Sequence, residues 1–280
     1  MNQTKAFLKR HSLVLGIVLM FLLTWPISLA NVGLMPFQVP FIVSIFVGWG
    51  FVFASVIMTG LTLGKVGVVS LLKRYLLWRV GWKWYLTVFL LPSALVIPAV
   101  YINAALTGVA PDYSTVMAHK IFGESANLLL FILPWFLYEI VTNGEEIGWR
   151  GYVLPRLQAK HSALISTLIL GVIWGFWHLP KFLPDFDAVH FAWFMLHTMA
   201  IAVILTWIYN GTRGSLLLVV LYHASINTVT MFVPMANTQS NANMGSYIGY
   251  VLLELVTAVI IVIMAGPARL SRTEPMQVQE

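Results

Sequence analysis

From Ser12 to Asn31 the chain runs for 20 residues without a charge. A helix of about 20 apolar residues spans the roughly 30 Å of bilayer hydrocarbon. Runs of this kind recur, giving eight expected spans at 12–31, 36–60, 84–106, 126–153, 163–180, 189–209, 214–233 and 246–266. Lipid offers no hydrogen-bond partner to a backbone amide, so continuous apolar runs must be helical. The expected fold is therefore all-α, a polytopic membrane protein of about eight transmembrane helices forming one domain over 1–280. Composition agrees, with 59% hydrophobic and 9% charged residues, against roughly 45–50% and 25% in soluble domains. Zero Cys excludes disulfides, Cys-ligated metal and a Cys nucleophile.

The net charge of +6 is no nucleic-acid signal, because the basic residues sit at the edges of apolar runs. One set of alternating connections collects Lys5, Lys9, Arg10, Lys65, Lys73, Arg74, Arg79, Lys83, Arg156, Lys160, Arg213, Arg269 and Arg272. The other set holds Lys120 and Lys181 among Asp112, Glu124, Asp185 and Asp187. The positive-inside rule puts the first set, and with it both termini, in the cytoplasm. The basic N-terminus followed by an apolar run mimics a secretory signal; in a polytopic chain it reads as an uncleaved first span. Segment 62–83 mixes Val66, Val69, Leu71, Leu72 and Leu76 with Lys73, Arg74 and Arg79. It reads as a basic amphipathic helix on the cytoplasmic surface, with a plain basic loop as the alternative.

Three places break the apolar pattern. The first is NGEEIGWRGY at 143–152. On a helix Glu146 and Arg150 are i,i+4 and can pair, while Glu145 points about 100° away, sharing a face with Trp149 and Tyr152. The second is WGFWHLP, with Trp174 and His178 at i,i+4; the third is LYHASINT, with His223 and Asn227 at i,i+4. Taken singly, each fits a bland reading: a solvated ion pair, an interfacial histidine, a polar pair joining helices. Depth brings them together. If the fourth helix continues past Glu145 until Pro155 stops it, then at 1.5 Å per residue Glu145 and His223 lie roughly 15 Å deep. On the same rise Asn227 lies about 20 Å and His178 about 24 Å deep.

A carboxylate beside a neutral imidazole can hold a water and take its proton as it attacks a peptide carbonyl. A second imidazole and an amide can donate to the developing oxyanion. Carboxylate and imidazoles could alternatively bind zinc and acidify the water, although HExxH spacing is lacking.

The order and separation of Glu145-Glu146-x-x-x-Arg150-Gly151, Trp174-x-x-x-His178 and His223-x-x-x-Asn227 resemble the CAAX protease and bacteriocin-processing family (the Abi family, including the CAAX prenyl endopeptidases) of intramembrane proteases. The resemblance covers about 126–235. It implies an endopeptidase of CAAX type or one processing bacteriocins or leader peptides. Glu145 and His178 would activate water, Glu146 and Arg150 would support them, and His223 and Asn227 would stabilise the oxyanion. Trp174 departs from the family's usual Phe while keeping an aromatic wall. No cofactor is required on this reading; zinc, if bound, would take Glu145, His178 and His223. The implied partners are a peptide or protein substrate, lipidated ones included, entering from the cytoplasm or sideways from lipid, together with membrane lipids and no nucleic acid. The implied location is a bacterial plasma membrane. Two other functions share these residue types: a non-catalytic bacteriocin self-immunity protein and, further off, a proton-coupled transporter. Glu139, seven residues before Glu146 and on nearly the same face, stays outside the catalytic set.

Overall fold

A computed structural model describes residues 3–235 and 244–272. The terminal residues 1–2 and 273–280, to which the cytoplasmic assignment of the termini refers, lie outside the described residues. The helices are α1 (Gln3–Arg10), α2 (Ser12–Asn31), α3 (Phe41–Ile45), α4 (Trp49–Lys73), α5 (Trp82–Thr107), α6 (Met117–Phe122), α7 (Leu129–Thr142), α8 (Leu154–Gln158), α9 (Ala163–Trp177), α10 (Ala188–Gly211), α11 (Leu216–Phe232) and α12 (Gly245–Ala265). A π-helix at Ile147–Val153 joins the break after α7 to α8. Among the described residues, six helical stretches are long and apolar enough to cross a membrane, and α7 and α11 are shorter apolar helices. The chain is thus an all-α polytopic membrane protein.

Large apolar side chains such as Leu106, Leu129, Ile263 and Val66 face outward, as they must when lipid is the solvent. The interior holds instead an unusual share of polar groups, among them Glu146, Arg150, His223 and Glu254. The helices pack in the pairs α9–α10, α10–α12, α12–α5, α11–α5, α11–α7 and α2–α4, and the π-helix lies against α4.

Two expected boundaries move. The second span begins at Trp49 rather than 36, after a short helix at 41–45 and a turn. Further on, α4 breaks at Gly64, whose φ of 69° and ψ of −166° favour glycine. The chain folds back there, so that a Cβ on Gly67 would lie 3.1 Å from the Thr59 side chain. Segment 62–83 is accordingly neither one surface helix nor a loop. Its Arg74 is buried and donates from Nη1 to the Tyr209 hydroxyl at 2.7 Å and the Gly151 carbonyl at 3.1 Å. That carbonyl is the one a regular α-helix would pair with the N–H of residue 155, which is a proline. Arg74 supplies the missing donor, and the helical path runs through Pro155 to Gln158 instead of stopping there.

The expected continuous helix over 126–153 is also corrected. The α7 ladder ends at Thr142, and Asn143 is extended, with φ −80° and ψ 90°. A close backbone crossing accompanies the break: a Cβ on Gly144 would lie 2.5 Å from the Gly48 carbonyl oxygen. Carbonyls freed at a helix end need other donors. The Trp49 indole N–H gives one to the Val141 carbonyl at 2.9 Å, and the Gly144 N–H another to that of Thr142 at 3.1 Å.

Candidate active site

The break after α7 decides where the two adjacent carboxylates go. The Asn143 side chain accepts from the Glu145 N–H at 3.1 Å, starting the next helical turn at Glu145. Glu146 then turns inward and Glu145 stays half-buried. Glu146 and Arg150 are both fully buried and pair at 3.0 Å through Oε1 and Nη1, so the i,i+4 relation survives the π-helix. The expected face of Glu145, Trp149 and Tyr152 does not form. Trp149 packs on Phe51, ring centroids 4.8 Å apart, and the Tyr152 hydroxyl donates to the Ser12 carbonyl at 2.7 Å. The wider turn of a π-helix rotates these residues away from the face an α-helix would give them.

The aromatic partner of Glu145 is Trp174. Its indole Nε1–H donates to Glu145 Oε2 at 2.8 Å. The Arg150 guanidinium lies over the same ring, 4.7 Å from its centroid, and the His223 ring meets it edge-on at 5.6 Å. Trp174 reaches this position because α9 packs closely on α10. A Cβ on Gly175 would lie 2.4 Å from Met195 Sδ, and one on Gly171 would lie 2.8 Å from Met199 Cα.

The two histidines are each fixed through Nδ1. His178 Nδ1 lies 2.9 Å from the Trp174 carbonyl, an acceptor that requires a proton on Nδ1 and leaves Nε2 as the working nitrogen. His223 Nδ1 lies 2.8 Å from Glu146 Oε1, with the same consequence. Glu146 thus serves two partners, Arg150 and His223, where the sequence indicated one. Asn227 donates from Nδ2 to Glu139 Oε2 at 2.8 Å. Glu139 is the residue that sequence reasoning left aside. Its signal was a charge within an otherwise apolar run, two turns before Glu146.

Exposure sorts the set. Residues 146–157 are buried throughout, whereas Glu139, Glu145, His178 and Asn227 are partly exposed. These four lie toward Lys181, on the turn after His178 and within electrostatic reach of Glu139 and Glu145. The partly exposed side of the set is thus the Lys181 side, while the helix running toward Arg156 is buried. Among the described residues, no three His, Asp or Glu side chains gather as a metal-ligand group.

The arrangement offers a partly exposed carboxylate and a partly exposed imidazole held by one tryptophan, with a second imidazole and an amide nearby. Residues 125–229 match the family described as type II CAAX prenyl endopeptidase, Rce1-like. A curated relative, CAAX prenyl protease 2 of Methanococcus maripaludis, is 26% identical over 142 residues, covering 48% of this chain and 52% of that protein. The chain therefore spans about half the length of the curated relative it matches. The stretch matched by the family model contains all three motifs that meet around Trp174, so the likeness lies in the part of the chain that builds this site.

Proposed function

We propose that the protein is an intramembrane endopeptidase in which Glu145 and His178 activate water. The observation that carries this reading is the double role of Trp174. Its side chain holds Glu145 at 2.8 Å and its carbonyl holds His178 at 2.9 Å. One residue thereby fixes both groups and leaves Glu145 Oε1 and His178 Nε2 for a shared water.

The water oxygen adds to the peptide carbonyl carbon as its proton passes to Glu145. The oxyanion so formed accepts from the second N–H of the Asn227 amide, whose first rests on Glu139. It also accepts from Nε2 of His223, present as the imidazolium paired with Glu146. Glu145 then returns the proton to the leaving nitrogen as the C–N bond breaks, releasing an amine and a carboxylic acid. Arg150 balances Glu146, so the negative charge beside Glu145 is neutralised.

Substrates on this reading are peptides or proteins, lipidated ones included, in line with the name of the Methanococcus maripaludis relative. They enter sideways from lipid or from the Lys181 end, the partly exposed side of the set, rather than along the buried residues 146–157. No resident metal takes part. Stoichiometric zinc in the purified protein, with activity lost in a chelator and restored by zinc, would refute that point. The principal test is cleavage, by protein in lipid nanodiscs, of prenylated C-terminal peptides and of bacteriocin leader peptides. Turnover of either class, lost in a folded Glu145→Ala variant, is the expected result. A folded wild-type protein that cleaves neither would return the chain to a non-catalytic role.

A further inference from the structure

A second set of buried polar side chains lies between α10, α11 and α12, and the chemistry proposed above does not use it. Glu254 is fully buried, with Oε2 2.6 Å from His197 Nδ1, and the Tyr250 hydroxyl donates to Oε1. On α10 the residues His190, Phe194 and His197 stand at i, i+4 and i+7; on α12 Tyr247, Tyr250 and Glu254 stand at i, i+3 and i+7. Each trio forms one stripe on its helix. The stripes face each other in parallel: the His190 ring meets Tyr247 at 5.9 Å, and His197 meets Tyr250 at 5.5 Å. They run from the first turns of both helices to about 10 Å further in. From α11, Tyr222 joins as an electrostatic neighbour of Glu254 and Tyr250. The buried residues of α5, which packs on α11 and α12, are apolar, including Leu95, Val96 and Ala99.

Three atoms in this set are buried with no partner among the described residues: His190 Nε2, the Tyr247 hydroxyl and the Tyr222 hydroxyl. These residues are 4%, 3% and 0% exposed. A buried polar atom left dry is costly, and native proteins meet that cost with ordered water wherever two to four polar groups converge. Ionisable side chains inside a membrane bundle likewise tend to line water-filled cavities.

We propose that these helices enclose a water site, in which ordered waters bridge His190 Nε2 and the Tyr247 and Tyr222 hydroxyls to the Glu254 carboxylate. The row of waters runs from the first turns of α10 and α12 inward to the Glu254–His197 pair and keeps that pair hydrated inside the bundle. The ligand is water because both donors and acceptors are offered, and because no three His, Asp or Glu among the described residues form a metal-ligand group. The site is distinct from the proposed active centre. The Phe194 ring stands between them, 5.0 Å from His178 and 5.7 Å from His197. The inference does not depend on the peptidase reading.

Hydroxyl-radical footprinting of the protein in lipid nanodiscs, in ¹⁸O-labelled water, tests it directly. Tyr113, on an exposed turn, serves as the wet reference, and buried Tyr209, bonded to Arg74, as the dry one. Tyr222 and Tyr247 are expected to be oxidised at rates near that of Tyr113, and Tyr222→Phe and Tyr247→Phe to melt below wild type. Protection of both tyrosines to the level of Tyr209 overturns the proposal. So does a rise in melting temperature in the Phe variants, because removing a dry, unpaired hydroxyl stabilises.

Discussion

The Trp174 indole donates a hydrogen bond to Glu145 at 2.8 Å, a contact that phenylalanine at this position cannot make. Trp174→Phe keeps the aromatic wall and its place under Arg150 while removing the donor. A hydrogen bond to a charged group contributes about 1.5–3 kcal/mol, equivalent to about tenfold to a hundredfold in rate. Cleavage is expected to slow by up to that factor, with the melting temperature falling by no more than the loss of one such bond. An unaltered rate would mean that Glu145 needs no such restraint.

Glu146 and Arg150 have a structural task that Glu145 lacks. Glu146→Gln strands a buried guanidinium, and breaking a buried pair costs about 3–5 kcal/mol. Arg150→Gln strands the carboxylate in the same way, whereas Glu146→Gln combined with Arg150→Gln should regain part of the stability. Activity should not return in the double variant, because His223 also loses the carboxylate that fixes its Nδ1. Melting curves in detergent and cleavage rates separate the two effects. Absence of any recovery in melting would show that the two side chains stabilise the fold through other contacts than each other.

Glu139 orients Asn227 through a bond of 2.8 Å. Loss of a single oxyanion donor costs about 10²–10³ in kcat, and this is expected for Asn227→Ala. Glu139→Leu should reproduce part of that loss in kcat with little change in KM. Glu139→Gln, which still offers an oxygen to the amide, should retain most activity. Equal rates for Glu139→Leu and wild type would remove Glu139 from the site.

The distribution of Lys and Arg predicts the orientation. Alkaline phosphatase fused after residue 115 should be active and after residue 75 inactive. The opposite result would invert the bundle and place the Lys181 end in the cytoplasm.

Much of this protein was legible without coordinates. The α2 span from Ser12 to Asn31 matches its expected limits, because a charge-free run in lipid has one way to satisfy its backbone. The Glu146–Arg150 pair was legible too, because i,i+4 contacts are local geometry. Tertiary structure decided what lay beyond a single helix. The break at Asn143 arises where Gly144 crosses Gly48, almost a hundred residues away in sequence. Pro155 stands in the first turn of α8 instead of ending its helix, and Arg74, on a segment expected at the surface, reaches the Gly151 carbonyl that proline leaves without a donor. The bonds Trp174–Glu145, His223–Glu146 and Asn227–Glu139 each join two helices. Periodicity orients a side chain around its own helix axis but leaves open which neighbour meets it, and that choice rests on how the helices pack.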